Sequence, residues 1–163
     1  MKRTIIVLAM LYCLPALAAP KKADVATDEN AEAQNQVRKR LDDIWANFRT
    51  RDVARQESFH LYGPKFTEFK DGQPRGDAEA NKKGEREIIA ALSDPKIEMK
   101  DLAIAVYGDT AIATFNGDFS GKIGGKPVSM MEGATLVFVK YKGDWKIVHE
   151  HFSPLSPPPT AGK

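Results

Sequence analysis

The stretch GDWKIVHEHFS, residues 143–153, decides the fold, because it predicts a tight turn followed by the last strand of a sheet. Side chains two residues apart on a strand share a face. The two faces are then Trp145, Ile147, His149 and His151 on one side, and Lys146, Val148, Glu150 and Phe152 on the other. We expect the two histidines to lie on the same face, roughly 6–7 Å apart, and the glutamate between them to point away.

Three apolar runs precede this strand, and a turn joins each run to the next. The runs are residues 97–107, 110–119 and 128–141. Gly108 and Asp109 predict a tight hairpin turn between the first two runs, and a glycine-rich segment, residues 120–127, joins the second to the third. Runs connected in this way predict an antiparallel meander.

Helices come before these strands along the chain. The apolar residues of the first helix recur at helical spacing and are Val37, Leu41, Ile44, Trp45 and Phe48. Two more helices are predicted, over residues 52–59 and from a cap at Asp77 to Leu92, with a short strand over residues 65–69 between them. The order predicts an α+β domain, in which about three N-terminal helices pack on one face of a curved antiparallel sheet.

The other face of this sheet also carries apolar side chains. The strands AIAVY, AIATF and TLVFV, at residues 103–107, 111–115 and 135–139, are apolar on both faces. Helices on one side cannot cover both faces, so the outer face is expected to be partly covered by another element. The sequence therefore predicts partial cover of the outer face, and a second subunit is one candidate for this cover.

The first 19 residues predict a secretory signal peptide rather than part of the domain. Lys2 and Arg3 form a basic start, a short apolar run follows, and small residues offer cleavage after Ala18 or Ala19. Export predicts a bacterial periplasmic or secreted protein. The remaining segments are a flexible lead-in at residues 20–32, a folded domain at residues 33–153 and a proline-rich disordered tail at residues 154–163.

Charge and cysteine content exclude several classes of function. The chain has 163 residues, of which 24 are basic and 22 are acidic. Removal of Lys2 and Arg3 with the signal leaves equal numbers of basic and acidic residues. A neutral domain of this kind has no excess of positive charge with which to bind nucleic acid or an anionic membrane. Cys13, the single cysteine, leaves with the signal, so the mature chain is expected to have no disulfide and no cysteine nucleophile.

Three motifs in this order carry a resemblance to a known family. They are GEREIIAAL at residues 84–92, GDTAIATF at residues 108–115 and GDWKIVHEHFS at residues 143–153. Over residues 36–153 the chain resembles the SnoaL-like domain of the nuclear transport factor two and ketosteroid isomerase-like superfamily. The resemblance implies a cone, a bent antiparallel sheet around helices with an internal pocket, and dimers formed through the outer face. It implies no single activity, because such domains include isomerases, cyclases, hydrolases, dehydratases, assembly modules and binding proteins.

Three roles are open for His149 and His151. One histidine can be buried and hydrogen-bonded while the other lines the pocket without chemistry. Both can instead be polar groups of a ligand pocket, with acid–base work near neutral pH. The third role is zinc binding, in which His60 or Glu132 completes the set. Because only two ligands lie on the strand, we predict no metal and no cofactor.

The predicted pocket wall contains other side chains. Glu68 can act as an acid or base there, or remain a solvated acid on an edge strand. Tyr62 can supply a phenol, although such a residue more often packs with its hydroxyl at the surface. The predicted ligand-binding residues are Trp45, Phe48, Tyr62, Phe66, Glu68, His149 and His151, and the catalytic candidates among them are His151, His149 and Glu68.

The sequence leaves two main classes of function open. In the first, an exported protein binds a small, mostly apolar molecule in its cone pocket without chemistry, and this class is favoured because no established catalytic pair can be placed. In the second, a small enzyme of isomerase, dehydratase or hydrolase type uses histidine and glutamate acid–base catalysis on that molecule. A dimeric assembly module and a zinc-binding protein are the weaker alternatives.

Overall fold

The structure, a computed structural model, describes residues 30–155. The signal peptide predicted over residues 1–19, with Cys13, and nearly all of the predicted lead-in and tail lie outside the described residues. Within the described part, three helices come first, a short strand lies between the second and the third, and four long strands follow. No helix of this part is both long and apolar enough to cross a membrane.

The first helix, α1, extends over Ala31–Thr50. Asn30 caps it, because its side-chain oxygen accepts a hydrogen bond from the Ala33 backbone N–H at 3.0 Å. This cap starts the helix two residues before the domain boundary predicted at residue 33. The predicted apolar stripe is confirmed, and its fully buried members are Val37, Leu41 and Ile44.

The second and third helices begin at acidic caps, and the cap of the third, Asp77, is the one that the sequence predicts. Helix α2 extends over Val53–Ser58 behind Asp52, and α3 extends over Ala78–Ala91 behind Asp77. In both, the carboxylate accepts hydrogen bonds from backbone N–H groups of the first turn. The cap of α3 fixes where this helix starts, and with it the position of Asn81 one turn further on, which is buried.

The five strands form one sheet in the order β1-β5-β4-β3-β2. Their bounds are Thr67–Lys70 for β1, Leu92–Tyr107 for β2, Thr110–Ile123 for β3, Lys126–Tyr141 for β4 and Asp144–Pro154 for β5. Strands β2 to β5 pair with their sequence neighbours and run antiparallel, which confirms the predicted meander.

The sheet is mixed rather than purely antiparallel, because β1 pairs with β5 in parallel. Thr67 lies opposite His149, and Lys70 lies opposite Phe152. The chain leaves β1, crosses through α3 to the far edge of the sheet, and returns along the meander. Strand β5 therefore arrives beside β1 in the same direction, and the α+β prediction holds with this one correction.

Strand β2 begins directly after α3, five residues earlier than predicted. It contains Pro95, which is tolerated because β2 is an edge strand and the register shifts at this point, where Asp94 has a φ of 51°. Strands β3 and β4 are also longer than predicted, and only Gly124 and Gly125 remain as the turn between them.

Strand β5 contains a β-bulge in its middle. On the neighbouring strand, Val137 pairs with His149, whereas the next residue, Phe138, pairs with Ile147. Val148 is therefore an extra residue of β5 with no partner of its own. An inserted residue of this kind turns the side chains that follow it to the opposite face.

The bulge makes the predicted faces of β5 wrong beyond residue 148. Ile147 and Glu150 are both buried on the face that the helices cover, whereas His151 is exposed on the other face. His149 also lies on this outer face, where its Nδ1 is 2.8 Å from the hydroxyl of Thr67. The glutamate therefore points toward the interior, and both histidines point away from it.

The hydrophobic core fills the space between α1 and the helix-covered face of the sheet. Its larger members are Val37, Leu41, Ile44, Phe59, Phe66, Phe115, Leu136, Phe138, Trp145 and Ile147. The buried indole of Trp145 keeps a hydrogen-bond partner, because its Nε1 donates to Gln36 at 3.2 Å. Leu136 and Ile147 belong both to the core and to the wall of a cavity, so the packed core ends where this cavity begins.

Candidate functional site

A cavity of about 290 Å³ lies between the helices and the sheet. Most of its wall is apolar, and the main contributors are Ile44, Trp45, Phe48, Ile88, Ile97, Phe119 and Phe152. The ring of Trp45 packs edge-on against Phe119, with 5.7 Å between the centroids, and its Nε1 donates to the sulfur of Met99 at 3.0 Å. A cavity of this size and lining is typical of a site for a small ligand.

His60 and Glu150 form a buried ion pair at one end of the cavity. The Nε2 of His60 is 3.0 Å from a carboxylate oxygen of Glu150, and its Nδ1 is 3.2 Å from the backbone oxygen of Gln56. A backbone carbonyl only accepts, so Nδ1 carries a proton, and Nε2 faces a carboxylate that also accepts. The pair is therefore an imidazolium with a carboxylate, and it ties α2 to β5.

The pKa values of the two partners shift in the directions that favour this pair. Burial alone lowers the pKa of His60, but the charge and hydrogen bond of Glu150 outweigh burial and raise it above its usual value. Burial alone raises the pKa of Glu150, but His60 and a hydrogen bond from Asn81 hold it below its usual value. Both shifts thus favour the charged forms, in which the two groups form an ion pair.

Asn81 connects the ion pair to a second carboxylate. Its Nδ2 donates to Glu150 and to Glu68, both at 2.8 Å, and its Oδ1 accepts from the hydroxyl of Tyr62 at 2.6 Å. The ring of Tyr62 stacks on His60 with 4.8 Å between the centroids. Burial and the surrounding acids raise the pKa of Tyr62, so this phenol stays neutral and donates. The amide is thereby fixed in one orientation.

Glu85 is the acid of this cluster that is best placed for proton transfer. Its Oε1 accepts from the side chain of Gln56 at 3.1 Å, whereas its Oε2 is buried without a partner. Burial raises the pKa of Glu85 to about 7, with His60 at 3.8 Å opposing the shift and Glu150 adding to it. A cavity-lining carboxyl of this kind can take or give a proton near neutral pH.

A second acid pair lies further along the cavity wall. Glu132 on β4 is only 4% exposed, and it neighbours Asp71, which follows β1. Burial and Asp71 raise the pKa of Glu132 to about 7 against the pull of Lys70, and Oε1 of Glu132 has no partner. Glu132 and Leu136 are four positions apart on β4, and Leu136 pairs with Glu150. The acid pair of Glu132 and Asp71 is therefore roughly 13 Å from Glu150, measured along the strand.

Three of the predicted ligand-binding residues line the cavity, namely Trp45, Phe48 and Glu68. Tyr62 and Phe66 lie behind the polar cluster instead. Phe66 is only 2% exposed and packs edge-on against Tyr62, with 5.0 Å between the ring centroids. These two aromatic residues support the cluster from the core side rather than forming the surface that a ligand would contact.

The structure places His149 and His151 outside the cavity, contrary to the prediction that they face it. Both pack against the exposed ring of Phe69, with centroid distances of 6.2 and 6.1 Å. The zinc set that the sequence left as an alternative is not brought together, because His60 and Glu132 lie on the covered face of the sheet. The physical reason for the outward position of both strand histidines is the bulge in β5.

A different group has the residue types of a metal site. His60, Glu85 and Glu150 each offer a ligand atom, and these atoms lie within 4.8 Å of one another. The bond from His60 to a backbone carbonyl is common for metal-binding histidines. However, Nε2 of His60 carries the proton that pairs with Glu150, so a metal ion would have to displace it. In this structure His60 and Glu150 form an ion pair, and Glu85 lies beside them.

Sequence reasoning missed Asn81 and Glu85, and it placed Glu150 on the wrong face. A signal for the first two was present, because they lie four residues apart and Ile88 and Ile89 follow at the same helical spacing. The face of α3 that is apolar at its C-terminal end therefore carries the polar residues Asn81 and Glu85 nearer its N-terminal end. Polar residues in line with a buried stripe indicate a buried polar site.

Comparison with protein-family models matches residues 37–157 to the model described as a SnoaL-like domain. A search of curated proteins gives no match. The matched range includes every element described above except the first turns of α1.

Several solved structures share the fold. A protein described as a candidate dehydratase of the nuclear transport factor 2-like family from Streptomyces avermitilis has a TM-score of 0.71 at 20% identity, over 79% of this chain and 100% of that one. A protein with a cystatin-like fold from Caulobacter vibrioides has a TM-score of 0.62 at 14% identity, over 77% and 92%. A candidate calcium/calmodulin-dependent protein kinase II association domain from Xanthomonas campestris has a TM-score of 0.63 at 18% identity, over 82% and 93%. These likenesses confirm the predicted cone and bear on the fold alone.

Proposed function

The chain belongs to the SnoaL-like domain family, and from this premise we propose that it binds a small, mostly apolar molecule in its cavity. The observation that carries the proposal is an apolar cavity of about 290 Å³ with a hydrogen-bonded acid cluster at one end. Burial of the apolar body supplies affinity, and the few polar groups fix the orientation of the molecule. Its polar end would lie against acidic side chains of the cavity wall.

Binding is expected to follow the length of the apolar body in a series of straight-chain alcohols from butanol to dodecanol. Each added CH₂ contributes about 0.8 kcal/mol, so affinity is expected to rise about fourfold per carbon until the cavity is full. Trp45 in the cavity wall reports on binding through its emission, and Trp145→Phe removes the other of the two tryptophans.

A matched pair of variants separates cavity binding from surface adsorption. Gly84 belongs to the cavity wall and has open space around it, so Gly84→Phe is expected to abolish the response to alcohols. Ala90→Phe adds the same ring to the exposed side of the same helix and is expected to leave the response unchanged. Unchanged emission and an unchanged unfolding midpoint with every alcohol would contradict the proposed function.

A second candidate function is acid–base catalysis on the bound molecule. The observation that favours it is the carboxyl of Glu85, which faces the cavity with an unpartnered oxygen and a pKa of about 7. His149 and His151 lie on the other face, so this alternative depends on Glu85 and Glu68. Isomerase, dehydratase and hydrolase reactions all need such a proton-transferring group.

This alternative is tested with 2-octanone in deuterated buffer. An acid–base site is expected to speed the exchange of hydrogen for deuterium next to the carbonyl, as read by mass spectrometry. Glu85→Gln should then slow the exchange about 100-fold or more while alcohol binding persists. No acceleration by the wild-type protein over buffer would count against catalysis and leave binding as the function.

Two further features of this function are proposals from the sequence. We propose that the protein is exported after removal of residues 1–19, which cell fractionation and the mass of the mature chain would check. We also propose a homodimer through the outer face of the sheet, where Ile112, Val137 and His149 are half-buried side chains of the central strands. Light scattering at several concentrations measures this assembly.

A further inference from the structure

Two buried side-chain oxygens of the described residues have no hydrogen-bond partner, and both belong to carboxyl groups of the cavity wall. They are Oε2 of Glu85 and Oε1 of Glu132. A buried acceptor without a donor costs free energy in the empty protein, and a ligand that brings a donor recovers it. The two unpartnered oxygens therefore favour binding of a molecule that carries a hydrogen-bond donor.

Glu132 is the more informative of the two. Its side chain belongs to β4, is 4% exposed, and has a second carboxylate, Asp71, beside it. A side-chain hydrogen bond with Asp71 contributes to the raised pKa of Glu132, whereas Oε1 of Glu132 has no hydrogen-bond partner among the described residues. Two neighbouring carboxyl groups at an apolar wall repel each other when both are charged, and a cation between them removes the repulsion.

The protein's own cations do not fill this place. Lys70 is the nearest, and its Nζ lies over the ring of Phe152, 5.9 Å from the centroid, with no carboxylate within 4.0 Å among the described residues. Lys96, the other lysine of the wall, is exposed on the edge strand β2. His60 is engaged with Glu150 at the other acid group, roughly 13 Å away along the strands.

We propose that the molecule bound in the cavity carries a protonated amine, and that Glu132 and Asp71 bind this amine while the apolar body lies along the wall toward Trp45. The inference rests on the proposed binding function and gives its ligand a chemical class. An ammonium group has three donors and no acceptor, which matches a carboxyl pair that lacks donors. The rings of Phe119 and Phe152 in the same wall also suit a cation.

The test compares three molecules of equal chain length, n-octylamine, 1-octanol and octanoate, by calorimetry at pH 8. The wild-type protein is expected to bind octylamine at least about tenfold more tightly than octanol, and octanoate more weakly than both. Glu132→Gln is expected to remove the preference for the amine and to leave octanol affinity within about threefold. Asp71→Asn, at an exposed position, serves as a second variant with the same expected result.

Glu87→Gln is the matched control, because it removes an exposed carboxyl outside the cavity wall and should leave the amine preference in place. Equal affinity of the wild-type protein for octylamine and octanol would overturn the amine inference and leave the proposed function standing. Loss of the preference in Glu85→Gln but not in Glu132→Gln would also overturn it. If none of the three molecules binds, the proposed function fails together with the inference.

Discussion

Replacing Glu150 by alanine is expected to lower the free energy of unfolding by about 3–5 kcal/mol, because it leaves a charged imidazole buried without its partner. The Nε2 of His60 loses a carboxylate at 3.0 Å, and Asn81 loses one of its two acceptors. Glu85, at 3.8 Å from the same nitrogen, can take over part of the pairing, which places the loss toward the lower end of this range. Urea denaturation at pH 6, followed by circular dichroism, measures it.

Glu68→Ala is the matched control for this prediction. Glu68 accepts a hydrogen bond of the same length from Asn81, 2.8 Å, but it is only half-buried and forms no ion pair with residues 30–155. Its loss is expected to cost about 1 kcal/mol, the usual value for one hydrogen bond. In the double variant His60→Ala with Glu150→Ala, the loss should be smaller than the sum of the two single losses. Equal losses for Glu68→Ala and Glu150→Ala would show that the ion pair does not stabilise the fold.

The architecture was predictable because each of its main elements has a local signal. The apolar stripe of α1, the acidic cap Asp77 and the Gly108–Asp109 turn all lie where the sequence predicts them. The parallel pairing of β1 with β5 has no such signal. The pairing depends on how the neighbouring elements position β1, which has only four residues. The sequence of β1 is compatible with either parallel or antiparallel pairing.

The site was less predictable, because one inserted residue decides which side chains enter the cavity. Val148 is apolar like its neighbours, and nothing in its local sequence marks a bulge. Simple alternation therefore placed His149 and His151 inside and Glu150 outside, and the structure reverses all three. The helical side of the site did have a signal in the spacing of polar residues on α3. Contacts that join α2, α3 and β5 are long-range and appear only when the chain is folded.

The stability of the protein is expected to fall as the pH rises from about 4.5 to about 7, and Glu85 is one of the two carboxyl groups that cause the fall. Its pKa is about 7 in the folded protein against 4.5 when unperturbed. Between these values the folded state binds more protons than the unfolded state, so unfolding becomes easier as the pH increases. At 1.36 kcal/mol for each unit, this carboxyl contributes about 3 kcal/mol at low pH that is lost by about pH 7.

The other groups of the cavity with shifted pKa values determine the rest of the dependence of stability on pH. The raised pKa of Glu132 acts in the same direction as that of Glu85, and the raised pKa of His60 continues the loss above pH 6.5. The lowered pKa of Glu150 acts in the opposite direction, because its contribution is present above about pH 4.5 and is lost as the pH falls below it. The maximum of stability is therefore expected on the acidic side, near pH 5.

Urea denaturation of the wild-type protein and of Glu85→Gln at pH 5, 6, 7 and 8 isolates the contribution of this one carboxyl. The difference in unfolding free energy between the two proteins is expected to change by roughly 2–3 kcal/mol from pH 5 to pH 8, with the wild type losing more. Glu87→Gln, on the exposed side of the same helix, should give a profile parallel to that of the wild type. If the Glu85→Gln profile is parallel as well, Glu85 is ionised throughout this range, and it can then accept a proton from a bound molecule but not donate one.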